Sequence, residues 1–247
     1  KVDQLKTSSQ SITDGLGNYY SFVGSQGRMS SYATPCPVCR GPQAKTFSYD
    51  VNQRVNQSTD FNNVQTTYTY DSGGRMASKT EAFGTALART TSYTWMEGYN
   101  LPLTLTEPVL VNGVVGQRVT TWTYNAQRQP LTQTVAAPNG AGGTSTRTTT
   151  YAYNADGRLS QVTDHQGRIT ALHYNDFGDM VARAENPGTP AERVMRWGGH
   201  QADGLARWSL NHDGVATLAE WDLDGNLLET RQGIVTGAPA DLLLGAG

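Results

Sequence analysis

The sequence predicts an all-β chain of repeated β-hairpins joined into one long, curved antiparallel sheet. Three observations carry this expectation. First, only 16% of the 247 residues are charged, well under the roughly 25% of an ordinary globular domain. Lys stands only at positions 1, 6, 45 and 79, while Thr, Tyr, Asn and the 27 Gly are plentiful; charged helix formers are scarce and strand and turn formers are not. Second, aromatic residues recur two apart, directly before an Asp or Asn. Third, this unit returns at a fixed interval, and self-similarity of that length marks a repeat architecture.

In chain order, the first copy is the weak Gln26-Gly27-Arg28-Met29. A Pro- and Gly-rich loop at 35–42 follows, containing Cys36-Pro37-Val38-Cys39. Phe47-Ser48-Tyr49-Asp50, with Arg54-Val55, opens the regular series. Tyr68-Thr69-Tyr70-Asp71, with Gly74-Arg75-Met76, repeats it 21 residues later. The interval then widens to 25 at Tyr93-Thr94-Trp95 and to 29 at Trp122-Thr123-Tyr124-Asn125. Another 29 residues lead to the clearest copy, Tyr151-Ala152-Tyr153-Asn154 with Gly157-Arg158-Leu159. Tyr174-Asn175 with Gly178 stands 21 residues beyond Tyr153. Residues 186–220 are degenerate, since Val194-Met195-Arg196-Trp197-Gly198-Gly199-His200 lacks the Tyr-Asp step. Trp221-Asp222 with Gly225-Asn226-Leu227 is the last, weaker copy.

Each part of the unit has a physical reading. Residues i and i+2 of a strand share a face, so Tyr151 and Tyr153 lie side by side, as do Tyr68 and Tyr70. The Asp or Asn that follows caps a turn with its side chain, and the Gly three residues later supplies positive φ. The long residue and aliphatic residue after it (Arg158-Leu159, Arg75-Met76) begin the return strand. A second turn, Asp164 to Gly167, closes the unit. A lone hairpin is marginal in water, so the units must pair laterally. The small residues around 138–144 read as a long hairpin tip inside a widened interval. Residues 1–233 form the repeat sheet in this reading, and 234–247 a C-terminal tail. The start at Lys1, with neither Met nor a signal peptide, suggests a processed product or a fragment.

Tyr-Asp followed by Gly-Arg-Leu at this spacing resembles the RHS/YD-repeat family, which includes bacterial polymorphic toxins, the C component of insecticidal toxin complexes, and teneurins. The resemblance covers roughly residues 20–230. It implies a segment of a hollow RHS shell of the bacterial type, enclosing a C-terminal toxic or effector domain until delivery. It also implies an exported protein, secreted or at the cell surface, with type VI secretion as one route. The implied partners are the remaining repeats and the enclosed toxin domain, with delivery machinery or an immunity protein beside them. The residues that carry the repeat are Tyr49, Asp50, Tyr70, Asp71, Gly74, Arg75, Tyr124, Tyr151, Tyr153, Asn154, Gly157, Arg158, Asp164, Gly167, Tyr174, Asn175, Gly178, Trp221 and Gly225. The Tyr- and Arg-rich plug segment of complete bacterial shells, with its self-cleaving aspartyl site, has no counterpart here.

Little independent chemistry is expected. Cys36 and Cys39 can form a structural loop, half of a tetrahedral metal site, or a redox pair; the structural loop is preferred, because only His165, His173, His200 and His212 remain as further ligands and all lie far along the chain. Asp222-Leu223-Asp224 lacks the bidentate Glu of a calcium loop. No nucleophile elbow, phosphate loop, dinucleotide fingerprint or His-Glu-x-x-His is present, so no catalysis and no cofactor are expected. A formal charge of −2 gives no footprint for nucleic acid, and no run reaches the roughly 20 apolar residues of a membrane span. The alternative reading is a cell-surface module whose Tyr and Trp ladder binds carbohydrate or a partner. Cross-strand packing is the simpler role for aromatics spaced in this way.

Overall fold

The structure, a computed structural model, describes residues 7–15, 18–25, 27–34 and 43–235. The described residues contain no helix and form nineteen strands of one antiparallel sheet. The Cys36–Cys39 loop and residues 236–247 lie outside the described residues.

Two compact units divide the chain. The first comprises Lys1–Trp122 and Val135–Thr146; the second comprises Thr123–Thr134 and Arg147–Gly247. In the first unit β1 (Thr7–Thr13), β2 (Tyr19–Ser25), β3 (Arg28–Thr34), β4 (Gln43–Tyr49), β5 (Val55–Thr59), β6 (Gln65–Tyr70), β7 (Met76–Glu81), β8 (Arg89–Trp95) and β9 (Pro102–Val111) follow one another. The boundary runs through β10 (Val114–Tyr124), β11 (Pro130–Pro138) and β12 (Thr144–Tyr153). The second unit continues with β13 (Leu159–Thr163), β14 (Ile169–Tyr174), β15 (Met180–Glu185), β16 (Arg193–Gly198), β17 (Trp208–Leu210), β18 (Val215–Trp221) and β19 (Leu227–Ile234). From β1 to β10 and from β12 to β19, each strand pairs with the next.

One five-residue turn is used repeatedly. In 71–75, the Asp71 N–H donates to the Arg75 carbonyl and the Gly74 N–H to the Asp71 carbonyl. The Arg75 N–H donates to Asp71 Oδ1 at 2.9 Å. This is a type I turn closed by a left-handed residue, the usual three-residue hairpin loop. The same bonds recur in 50–54, 154–158, 164–168 and 222–226. The fourth residue has positive φ throughout, at 81° in Gly74, 77° in Gly157, 79° in Gly167, 101° in Gly178 and 79° in Gly225. Gln53, Asn63 and Arg128 adopt it without being glycine.

The widened intervals are built differently from the sequence expectation. No long tip forms at 138–144: Asn139 to Gly143 make another five-residue turn, with the Asn139 N–H on the Gly143 carbonyl at 3.0 Å. In the two 29-residue intervals the additional residues lengthen β9 to β12, which run 9 to 11 residues. Thr is abundant there, and a β-branched residue extends a strand more readily than it forms a tip. In the degenerate stretch the return strand shrinks to the three residues of β17. A Cβ on Gly198 would stand 2.2 Å from Trp208 Cζ2, so the Trp208 ring lies flat on bare backbone.

The sheet has little interior. Ala184 and Leu210 are the buried hydrophobic side chains among the described residues, and no large side chain is fully buried. In the first unit Thr69, Thr80 and Thr94 pair hydroxyls with Ser78, Thr90 and Thr104 at 2.7–2.9 Å. Phe22, Tyr32 and Phe47, on neighbouring strands, stack at 6.4–6.5 Å. Cross-strand pairs, each worth roughly 0.2–1 kcal/mol, therefore replace the central core of an ordinary domain.

A Cβ on Gly178 would meet Arg158 Nη2 at 2.5 Å, whereas one on Gly167 meets nothing within 4 Å. Gly167→Ala is expected to cost the left-handed strain alone, about 1–2 kcal/mol. Gly178→Ala should cost about 1 kcal/mol more, by displacing Arg158. Urea midpoints of the two variants check this, and equal losses would mean that the Arg158 contact contributes nothing.

Candidate functional site

The residues of the repeat gather at successive hairpin turns, and three kinds of contact link turns of this row to their neighbours. The first follows from a β-bulge. Register slips by one residue between Ser48 and Tyr49, Thr69 and Tyr70, Thr94 and Trp95, Ala152 and Tyr153, His173 and Tyr174, and Glu220 and Trp221. A bulge interrupts the ladder and strengthens the local twist. The carbonyl just after each of several turns is then taken by the aromatic residue of the next hairpin. Tyr49 donates to Met29 at 2.6 Å, Tyr70 to Val55 at 2.7 Å and Trp95 Nε1 to Met76 at 2.7 Å in the first unit. Tyr153 donates to Pro130 at 2.8 Å, Tyr174 to Leu159 at 2.9 Å and Trp221 Nε1 to Ala206 at 3.0 Å in the second.

The second contact is a cation over a ring. Arg28, Arg54 and Arg158, each just before such a carbonyl, lie over Tyr49, Tyr70 and Tyr174 at 5.6, 4.5 and 6.0 Å. The third runs from turn to turn. Arg75 Nη1 donates to the carbonyls of Met96, at 2.5 Å, and of Tyr99 in the next turn. Gln129 Nε2 donates to the Gly157 carbonyl at 2.5 Å. Glycine at the fourth turn position keeps that passage open: a Cβ on Gly74 would stand 3.3 Å from Arg54 Nη1.

Within a turn the Asp also binds the side chain of the fifth residue. Arg54 Nε and Arg75 Nε donate to Asp50 Oδ2 and Asp71 Oδ2 at 2.8 Å, and Asn226 Nδ2 donates to Asp222 Oδ2 at 2.9 Å. The Arg54 backbone N–H holds the Asp50 carboxyl below the usual carboxylate range, and its guanidinium adds to this. The Arg75 side chain does the same for Asp71, and the Asn226 side chain for Asp222. At Asp164 partial desolvation opposes the shift and is outweighed by Arg168. Burial pushes the phenols of Tyr70, Tyr124 and Tyr153 up, so they stay protonated donors at neutral pH.

Not every residue of the repeat joins this row. The turn of Asp164 and Gly167 caps the opposite end of β13 and has no clamping aromatic. Tyr151 reaches Gln133 Oε1 at only 3.4 Å. Asn175 Nδ2 donates to Asp179 Oδ2 at 3.0 Å. Of the histidines, His165 and His173 are exposed, and His212 Nε2 sits 3.2 Å from Asp213. Among the described residues no three His, Cys, Asp or Glu side chains converge as a metal site would require, and no helix is long and apolar enough to cross a membrane.

Two features escaped the sequence reading. The seven-residue turns 82–88 and 186–192 are built alike, with Thr85 and Thr189 hydroxyls both donating 2.8 Å bonds to Ala82 and Asn186 carbonyls. Their shared Glu-x-x-Gly-Thr-x-x-x-Arg pattern, at 81–89 and 185–193, was the available signal. The other is a cleft of about 900 Å3 in the second unit, lined by Phe177, Asp179, Trp197, His200, Gln201 and Trp208 among others. The paired glycines Gly198-Gly199 between aromatics were its only sequence trace.

Comparison with known proteins places these features. Residues 153–189 match the model of the RHS repeat. No curated protein matches the sequence. A crystal structure of TcdB2-TccC3-TEV matches 95% of this chain at 15% identity and a TM-score of 0.67. A crystal structure of TcdB2-TccC3 without its hypervariable C-terminal region matches 95% at 14% identity, again at 0.67. A Tc holotoxin pore from Photorhabdus luminescens matches 92% at 12% identity and 0.51. The chain spans only about 13–14% of the length of those chains, and the likeness is one of fold.

Two outcomes test the contacts. Tyr174→Phe should lose about 1 kcal/mol by orphaning the Leu159 carbonyl, while Tyr151→Phe, whose bond is long, should lose a few tenths; denaturant midpoints compare them. For pH, the turn aspartates have folded pKa values depressed below the unfolded carboxylate value of about 3.9. Their contribution is complete above that value and is lost as pH falls through the lower folded values. Stability should therefore be flat in these groups from neutrality to about pH 5 and decline below about pH 4, less steeply in an Asp71→Asn variant.

Proposed function

From the RHS-repeat match at residues 153–189 and the shared fold, we propose that the chain is a member of the RHS/YD-repeat family and a segment of the wall of an exported bacterial toxin, a structural container with no catalysis of its own. The wall holds a C-terminal toxic or effector domain of the same protein until delivery. The observation that carries this reading is the row of clamps between successive turns. A hairpin here has almost no interior and takes its stability from the hairpins beside it. Stability then depends on nearest neighbours, as in repeat arrays, and a sheet can extend without a growing core. Such a construction suits a wall that must be wide and thin.

The paired Ser and Thr hydroxyls support the same role. Short, uncharged side chains already engaged with one another offer little to grip a guest polypeptide. The partners in this reading are the further repeats that pair with the sheet and the domain held beside it, with an immunity protein or delivery machinery, including a type VI apparatus, acting on the whole. A surface module that stacks sugars on its Tyr and Trp ladder is less well supported, because Tyr70, Trp95 and Tyr153 of that ladder are committed to main-chain carbonyls of neighbouring hairpins.

The test uses the full-length protein that carries this chain. Its C-terminal domain should resist protease and stay inactive in the intact protein. It should become cleavable and active when Tyr153→Ala and Tyr174→Ala together loosen the wall. Equal protease sensitivity with and without the intact repeats would overturn the proposal.

A further inference from the structure

We propose that the cleft at the β16–β17 hairpin is a receptor for a guanidinium group, namely an arginine side chain supplied by another polypeptide segment. The inference stands on the repeat itself and does not depend on the wall reading. In several copies the residue that ends the turn is an arginine, while Gln129 and Asn226 end two others. Arg28, Arg54 and Arg158 place the guanidinium over the ring of the following hairpin, and Arg75 sends it into the next turn. In turn 175–179 the fifth residue is Asp179. Its Oδ2 is held by Asn175 Nδ2 at 3.0 Å, and its Oδ1 reaches the next turn, 3.2 Å from where a Cβ on Gly204 would stand. A carboxylate thus follows the path that a guanidinium takes elsewhere.

The aromatic partner is displaced as well. His200 precedes the turn 201–205, where Tyr70 and Tyr174 precede theirs. The large rings are Trp197, three residues earlier, and Trp208 across from it, paired with Gly198. With Phe177 standing 90% exposed at the rim, they line the cleft of about 900 Å3. This copy therefore carries a carboxylate where four others carry a guanidinium, and beside it a cavity bordered by aromatic rings. Trp faces bind cations best among the aromatics. A planar guanidinium stacks on a ring while it donates in the plane to a carboxylate, which an ammonium does less well. Arg207, in the same loop, does not line the cleft. With the Gln201 amide turned to present its oxygen, Arg207 donates to it at 3.1 and 3.2 Å.

The experiment titrates the full chain with Nα-acetyl-arginine-N-methylamide and follows the indole N–H resonances, assigned with Trp197→Phe. The citrulline analogue, equal in shape but uncharged, is the control, and a set of neutral oligosaccharides is run in parallel. The expected result is a saturable shift of the Trp197 and Trp208 resonances by the arginine compound, with the citrulline compound about tenfold weaker or more. Asp179→Asn should weaken arginine binding by a similar factor. Asp179→Arg, which installs the residue found at Arg54, Arg75 and Arg158, should abolish binding and raise the melting temperature. No shift, equal shifts by the citrulline compound, undiminished binding by Asp179→Asn, or a response to oligosaccharides alone would each overturn the proposal.

Discussion

The hydrogen bond from an aromatic side chain to the carbonyl beside the preceding turn is the contact on which the rest of this sheet depends. The bulge before each turn would otherwise leave a main-chain acceptor poorly served, and a half-buried carbonyl without a partner is costly. The bond repairs that fault with a group from a different hairpin. A local defect becomes a link between neighbours. Each Tyr or Trp must therefore lie at a fixed distance before its turn, and where an arginine covers its ring, as at Tyr49, Tyr70 and Tyr174, that arginine ends the turn before.

This arrangement also explains the composition. A sheet with almost no interior needs few large aliphatic residues. It needs side chains that satisfy one another across strands, such as the Thr69–Ser78 and Thr94–Thr104 pairs. It needs small residues where a neighbour's side chain crosses, which is why glycine follows Asn175 and Asp71 three positions on. The low charge fits the same account, because many of the arginines and aspartates of the turns are engaged with each other or with backbone.

Much of this was legible in the sequence. The Tyr-x-Tyr-Asp and Gly-Arg spacing located the turns, the strands on either side and the all-β class, because a turn is a local matter of five residues. The clamp was not legible. It joins Tyr174 to Leu159 and Trp221 to Ala206 through a register that only lateral pairing creates. The stretch from Pro102 to Tyr153 was read as having a long tip because its small residues resemble a loop, whereas its Thr content favours longer strands. The Trp197–Trp208 cleft was hidden for another reason: it is a departure from the repeat, and a template identifies what agrees with it.

The clamp has a direction. In each observed case the donor belongs to the later hairpin and the acceptor to the earlier one. A polypeptide that emerges from its amino end would meet, with every new hairpin, an acceptor already in position. The order of synthesis and the order of bonding then coincide. Such a sheet can consolidate behind its growing end as a zip fastener closes, without waiting for distant residues to arrive. Removing a late hairpin deprives its predecessor of a donor, whereas removing an early one leaves a phenol with nothing to bind. The two ends of the array are thus chemically unlike, although every hairpin in it follows one plan.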